Sequence, residues 1–293
     1  MTILISNTDF LNGDVLDGQT TDNPIIFYKS SYQPGDITAQ TPNLLFPAVN
    51  MWNPDTSSFF KGATQPFPGN LTENITIENP ENNTIDSIAI AGHNLGDIPF
   101  FVTVRIFYFD GVINQLIDSA GIASNDPLFF YFDPQTADRF LVSVEIQITD
   151  SLDIPMQIAH IKMGQSTVLQ RREFQNVASG YLSKTLRRTQ NMSDNGQYLG
   201  QVVLSTKREM SLNQSNNTPQ FVRDEIIPFI AHTEGEAQIP GASSTTFFYA
   251  WRPTTYPSDV LYAWTMDKIT PSHQGGDSWG GRMEWSFNME ALT

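Results

Sequence analysis

Apolar and polar residues alternate with a period of two through much of residues 71–164. In FLVSVEIQIT (140–149), Phe140, Val142, Val144, Ile146 and Ile148 fall on one side, and Ser143, Glu145, Gln147 and Thr149 on the other. That is the pattern of a half-buried strand. FFVTVRIFYF (100–109), LFFYF (128–132), LTENITIE (71–78), SIAIAG (87–92) and MQIAHIKMG (156–164) add further strands, rich in the β-branched and aromatic residues that suit a pleated surface. Turn signals separate them: Asn-Pro at 79–80, Asp-Gly at 110–111, Asn-Asp-Pro at 125–127 and Asp-Pro at 133–134. Short strands at this spacing predict a β-sandwich or jelly roll over 67–170.

The flanks differ. Residues 1–66 are polar and rich in Pro and Asn, and read as an extended arm with a few anchored strands. Beyond residue 170, GQYLGQVVLSTKREMSL (196–212) is strand material. NNTPQFVRDEIIPFIAH (216–232) carries a helix start, with Thr218 as N-cap and Pro219 at the first helical position, and Pro228 should end or kink that helix. TTFFYAWRP and DVLYAWTM bracket the turn PTTYPSD, and RMEWSFNMEAL sets Met283, Trp285, Phe287 and Met289 on one face. The expected class is mainly β. Two sandwich- or jelly-roll-like domains, 67–170 and 171–293, follow the arm, with one short helix near 218–231 in the second.

Length fits this division, since 293 residues is a chain of two ordinary domains. With 40% hydrophobic and only 16% charged residues, the chain can bury a core and is not disordered in style. The net charge of −15 weighs against nucleic-acid partners and anionic membrane surfaces, both of which need clustered Lys and Arg. The charge is uneven. Residues 1–164 carry 5 Lys/Arg against 19 Asp/Glu, a net of −14, whereas residues 165–293 carry 11 against 12, a net of −1. With no cysteine there is neither disulfide nor thiolate chemistry, which points to a reducing cytoplasm as the place of synthesis. MTILISNTDFLNGD has neither the basic nor the apolar region of a secretory signal. No apolar run approaches the roughly 20 residues of a membrane-crossing helix, so membrane insertion is not expected.

Candidate chemistry is sparse. His93, in IAIAGHNLG, has no nucleophile or acid at a recognisable spacing, and no GxSxG or HExxH occurs. It reads as a residue at the end of a strand. His160 reads as a buried neutral histidine, and His232 and His273 lack partners at metal-ligand spacing. The turn aspartates Asp97, Asp110, Asp118, Asp126, Asp133 and Asp138 form no calcium-loop pattern. No catalytic residue, cofactor or metal is assigned. Aromatic residues are the better candidates. Most of the Trp251, Tyr256, Tyr262, Trp264 group should be core, with Trp251, Tyr256 and Trp279 as possible stacking platforms for a sugar. Trp279, among glycines in GGDSWGG, reads as a contact residue, and Trp52, Phe59 and Phe60 in the arm are expected to dock on a neighbouring subunit or domain.

The order of motifs adds a resemblance. SIAIAGHNLG, followed by a strand-rich stretch ending in IAHIKMGQSTVLQRR, resembles the sandwich domain of structural proteins of tailed bacteriophages. NGQYLGQVVL, FVRDEIIPFIAH, TTFFYAWRPTTYPSDVLYAWTM and GGRMEWSFNMEAL are similar to the downstream domain of the same tail-tip proteins, so the likeness spans roughly residues 85–291. It implies a virion component of distal-tail or baseplate type, not an enzyme, that closes into a homo-oligomeric ring and contacts other tail proteins. Assembly in the host cytoplasm would precede release at lysis. The near-neutral C-terminal module would form the ring, and the acidic sandwich would face solvent or host glycan. A carbohydrate-binding host-adsorption module and a head-surface or head-fibre protein are the alternatives, with a glycan-degrading enzyme a distant third.

Overall fold

The structure, a computed structural model, describes residues 3–5, 23–41, 43–62, 71–81, 83–97, 101–109, 113–122, 124–131, 140–150, 155–172, 184–235, 245–253, 255–256, 259–275 and 281–292. Its strands begin with β1 (Ile3–Ile5), β2 (Ile25–Phe27), β3 (Ile37–Ala39), β4 (Phe60–Lys61), β5 (Leu71–Glu78), β6 (Ser87–His93), β7 (Phe101–Phe109), β8 (Ile113–Gly121) and β9 (Leu128–Tyr131). They continue with β10 (Phe140–Asp150), β11 (Gln157–Gly164), β12 (Thr167–Val168), β13 (Thr185–Met192), β14 (Tyr198–Asn217), β15 (Thr246–Ala250), β16 (Val260–Thr265), β17 (Ser272–His273) and β18 (Met283–Ala291). A helical segment, α1, spans 219–233.

Strict alternation decides the front half. Ile75 and Ile77 of β5, Val102, Val104 and Ile106 of β7, and Val144, Ile146 and Ile148 of β10 face one way, and this five-stranded sheet has the order β3-β5-β10-β7-β8. They close a single core against Ile88 and Ile90 of β6, Leu128 and Phe130 of β9 and Ile158 of β11, which belong to a second sheet ordered β1-β9-β6-β11-β4. The polar partners in the alternation stay outside, where Arg105 pairs with Glu145 at 3.5 Å and donates to Gln147 at 2.8 Å between β7 and β10. The result is a β-sandwich, as the alternation predicts.

β6 and β9 are apolar at successive positions, and both of their faces are covered. Ala89, Ala91, Phe129 and Tyr131 point away from the sandwich core into a second apolar layer, with Ile25, Phe27, Phe248, Ala250, Val260 and Tyr262 on its far side. Those residues belong to an eight-stranded sheet ordered β12-β2-β15-β16-β18-β14-β13, with β17 added on β18. Its other face carries Ile26, Met210, Leu212, Phe247, Tyr249, Leu261, Trp285, Phe287 and Met289, packed on Val222, Ile226 and Phe229 of α1. Four layers result, three sheets and a helix. The second half thus has its sheet covered by the sandwich on one side and by α1 on the other.

The described part of the expected arm is woven into all three sheets. β1 and β4 lie in one sandwich sheet, β3 in the other and β2 in the eight-stranded sheet. Three successive apolar residues explain the place of β2: Ile25 and Phe27 fill the layer toward the sandwich and Ile26 fills the layer toward α1.

Pro228 does not end the helix, and the regular α-helical pattern is interrupted just ahead of it. Thr218 caps α1 by accepting from the Phe221 amide at 3.3 Å, with Pro219 following as expected. The turn Val222–Ile226 is π-helical, and the α-helix Ile227–Thr233 resumes after it. A widened turn just ahead of a proline removes the clash and the missing donor that an unbroken α-helix would suffer there. Gly235, at φ 73°, closes the helix by donating to the His232 carbonyl at 3.1 Å.

Candidate functional site

His93 ends β6 with both ring nitrogens in use. Nε2 donates to the Asp126 carbonyl at 2.8 Å, and Nδ1 accepts from the Leu95 amide at 3.3 Å. Those two contacts demand the neutral ring, and burial pushes its pKa down to about 4. His93 therefore ties the end of β6 to the loop before β9. His160 is buried against Phe248, with ring planes 9° apart, and burial together with the Lys162 charge takes it down to about 3. Among the described residues no group of three His, Asp or Glu converges.

The predicted contact residues separate into different surroundings. Phe60 is wholly buried in the sandwich core. Trp52 packs on the same core and donates from Nε1 to the Tyr32 carbonyl at 3.2 Å. Phe59 stacks on Phe46 at 4.9 Å, with the Lys61 ammonium 5.9 Å from the Phe46 ring. All three lie in a segment that docks onto its own chain. The outward apolar residues of that segment include Leu44 and Leu45, 98% and 81% exposed, and Val49. Trp279 lies outside the described residues.

Trp251 and Tyr256 are brought together. Their rings are parallel within 2° at 5.5 Å, and the Arg252 guanidinium sits 4.8 Å from the Trp251 ring. Hydrogen bonds from Tyr256 N to Arg252 O (2.7 Å) and from Asp259 N to Tyr256 O (3.0 Å) hold this loop. The indole is engaged by its neighbours, so the surface left to a ligand is that of Tyr256, 45% exposed.

A cleft of about 710 Å³ lies where β14 and β18 part, lined by Arg171, Arg172, Gln214, Arg282, Glu284 and Trp285 together with Asn, Ser and Thr side chains. Gln214 opposes Trp285 in the register, after which the pairing slips before Asn217 meets Met283. Ser215 and Asn216 fill the resulting bulge, and Asn216 takes a left-handed conformation, φ 59°. Its amide donates to Gln274 Oε1 at 3.0 Å. Arg171 and Arg172 stand on a fixed backbone: Gln214 Nε2 donates to the Arg171 carbonyl at 3.2 Å, and Gln170 Oε1 accepts from the Thr218 amide at 2.9 Å. Sequence reasoning missed this cleft. The stretch QRREF was visible as a basic run, but Arg282 is over a hundred residues away and joins it only through the β14–β18 register.

The remaining feature is a two-stranded ribbon. Among the described residues, the outer part of β14, from Tyr198 to Lys207, pairs with β13 alone, and pairing with β18 begins at Arg208. Ten residues of strand extend roughly 30 Å. Every residue of β13 is exposed, and Leu186, Met192, Tyr198, Leu199, Val202, Val203 and Leu204 stand in solvent along the ribbon.

No protein-family model matches the chain, and no curated protein does. Among solved structures it is similar to a CBM32 module from Clostridium perfringens in complex with GalNAc-beta-1,3-galactose, at TM-score 0.37 and 12% identity over 47% of this chain and 100% of that one. A chitosan-binding module from a chitosanase/glucanase of Paenibacillus sp. IK-5 gives TM-score 0.37 and 10% identity, over 47% and 100% of the two chains. A pectin-binding carbohydrate-binding module gives 0.34 and 13%, over 47% and 93%.

Proposed function

We propose that this chain is a non-catalytic structural protein that associates with copies of itself, and that the assembly is a tailed-bacteriophage virion in which it takes a tail or baseplate position. The β13–β14 ribbon carries the self-association. A two-stranded hairpin bare on both faces is marginal in water, and consecutive exposed Val202, Val203 and Leu204 gain nothing from solvent. The ribbon and its base bear Lys184, Arg187, Arg188 and Lys207 against Asp194, while residues 1–164 of every copy are strongly acidic. Opposite charges of this kind steer one copy onto another. Light scattering on the eluting full-length chain tests the reading, beside a variant whose ribbon is shortened to a tight turn. A closed oligomer that the shortened chain cannot form is expected. A full-length chain that stays monomeric at high concentration rejects self-association, and its absence from purified particles by mass spectrometry rejects the virion setting.

A second reading is a carbohydrate-binding, host-adsorption module. The stacked Arg252–Trp251–Tyr256 group supports it, because a ring braced from behind offers its open face to a sugar at little entropic cost. The two readings are compatible in one protein. A glycan array with the full-length chain and Tyr256→Ala separates them: specific signals lost in the variant support adsorption, and a blank array removes it.

A further inference from the structure

We propose that the cleft between β14 and β18 is a binding site for a carboxylate-bearing saccharide. The inference stands on this cleft alone and needs neither the ribbon nor the Tyr256 face.

Two buried side chains in the cleft wall point to the ligand. Gln214 and Trp285 are each 2% exposed, and Gln214 Oε1 and Trp285 Nε1 have no hydrogen-bond partner among the described residues. Buried polar atoms are nearly always satisfied, so two orphans carried by one register pair mark a place where something else completes them. One is a donor and the other an acceptor. A hydroxyl group serves both, and a sugar ring presents hydroxyls in rows. Trp285 is stacked on Phe287, 9° apart at 5.9 Å, and is 2% exposed, so its ring has no open face and its N–H is the group left without a partner among the described residues. A nucleobase, which binds by stacking on a face, finds no platform on that ring.

Charge narrows the class. Arg171, Arg172 and Arg282 converge on the cleft of a chain whose net charge is −15. Among the described residues none of the three makes an ion pair. The guanidinium fork matches a carboxylate in geometry and stays charged at any physiological pH. Glu284, the acid in the same wall, is held by Ser272 Oγ at 3.2 Å and Gln274 Nε2 at 2.9 Å. Its charge tempers the arginines, which suits a ligand with dispersed single charges better than a dense polyanion. A volume of about 710 Å³ exceeds what one sugar ring fills and lies in the ordinary range of ligand sites. The bulge with left-handed Asn216 opens the sheet here, and strain of this sort gathers where strands are bent to make sites.

Calorimetry on the full-length chain tests the assignment, with trisaccharides of galacturonate, glucuronate and mannuronate, a neutral galactose trisaccharide, and inorganic phosphate as titrants. At least one uronate trisaccharide is expected to bind, and to bind more weakly as salt rises. Arg282→Gln should weaken it tenfold or more. Trp285→Phe, which keeps the stacked ring and deletes only the N–H, should weaken it about fivefold. Tyr256→Ala should leave it unchanged. Near-UV circular dichroism confirms that each variant keeps its packing. The proposal falls if none of the three acidic trisaccharides binds, or if binding ignores both cleft variants. Equal affinity for phosphate reduces the cleft to a plain anion site, and equal affinity for the neutral sugar removes the carboxylate from the assignment. Loss of binding in Tyr256→Ala alone moves the ligand to that face and overturns the cleft.

Discussion

The ammonium of Lys162 donates to the main-chain carbonyl of Thr246 at 3.2 Å, joining β11 of the sandwich to β15 of the eight-stranded sheet. A second bond goes to the Tyr28 carbonyl at 3.1 Å, so among the described residues the buried ammonium is held by neutral oxygens. Burial pushes the Lys162 pKa down to about 7. The folded chain then binds fewer protons at this position than the unfolded chain between about pH 7 and 10.5, so stability rises with pH through that window. The gain is on the order of a few kcal/mol. Urea midpoints at pH 6.5 and 9.5 should therefore differ more in the parent chain than in Lys162→Met. Equal differences would show that the ammonium is solvated after all.

His93, His160 and His232 work in the same sense at lower pH. All three are buried, and burial lowers them to about 4, 3 and 4. Below pH 6.5 the unfolded chain takes up protons that the folded chain refuses, so stability is lost progressively as pH falls toward 4. Asp86 acts in the opposite direction, since burial raises it to about 6, and its effect is smaller than that of three histidines together. His93→Gln retains a donor for Asp126 and an acceptor for Leu95 but cannot titrate. Its melting temperature should fall less steeply than the parent's between pH 6.5 and 4.5, and an unchanged slope rules the mechanism out.

Gly164, the last residue of β11, admits no side chain. A Cβ there would lie 2.3 Å from the Lys29 carbonyl oxygen, a backbone atom that cannot step aside. Gly164→Ala should destabilise the chain by about 1–3 kcal/mol, as overpacking does, read as a lower thermal midpoint. No change in midpoint would mean that the segment after β2 is free to shift.

The ribbon should behave in reverse. Val202, Val203 and Leu204 lie outside the buried clusters, so at a dilution where parent and variant are both monomeric, replacing all three by Thr should leave the melting temperature within about 2 °C of the parent, as expected of surface changes. A large drop would place the ribbon against its own body and weaken its assignment to a partner.

Alternation made the sandwich readable beforehand. Val144, Ile146 and Ile148 sit inside because a strand with one wet face must sort its residues by parity. The Thr218–Pro219 start of α1 was equally plain, because a cap is a local event. Failures had a common cause, since each depended on partners distant in sequence. Ile25–Phe27 looked like part of an arm because nothing local shows that both faces of β2 will be covered. Trp52 and Phe60 were expected to dock on a neighbouring subunit or domain, and which of the two was hidden because the sandwich core they join is assembled from strands up to about a hundred residues later. The cleft was hidden in the same way, its arginines being ordinary surface residues until the β14–β18 register brings them together.

Ala89 and Ala91 alternate with Ile88 and Ile90 along β6, so one ribbon of backbone serves two hydrophobic layers. The two halves of the chain consequently share a wall. Cutting the polypeptide near residue 165 to express either half alone would not release an independent module. It would uncover Phe129 and Tyr131 on one fragment and Phe248 and Tyr262 on the other, and both pieces would be expected to precipitate.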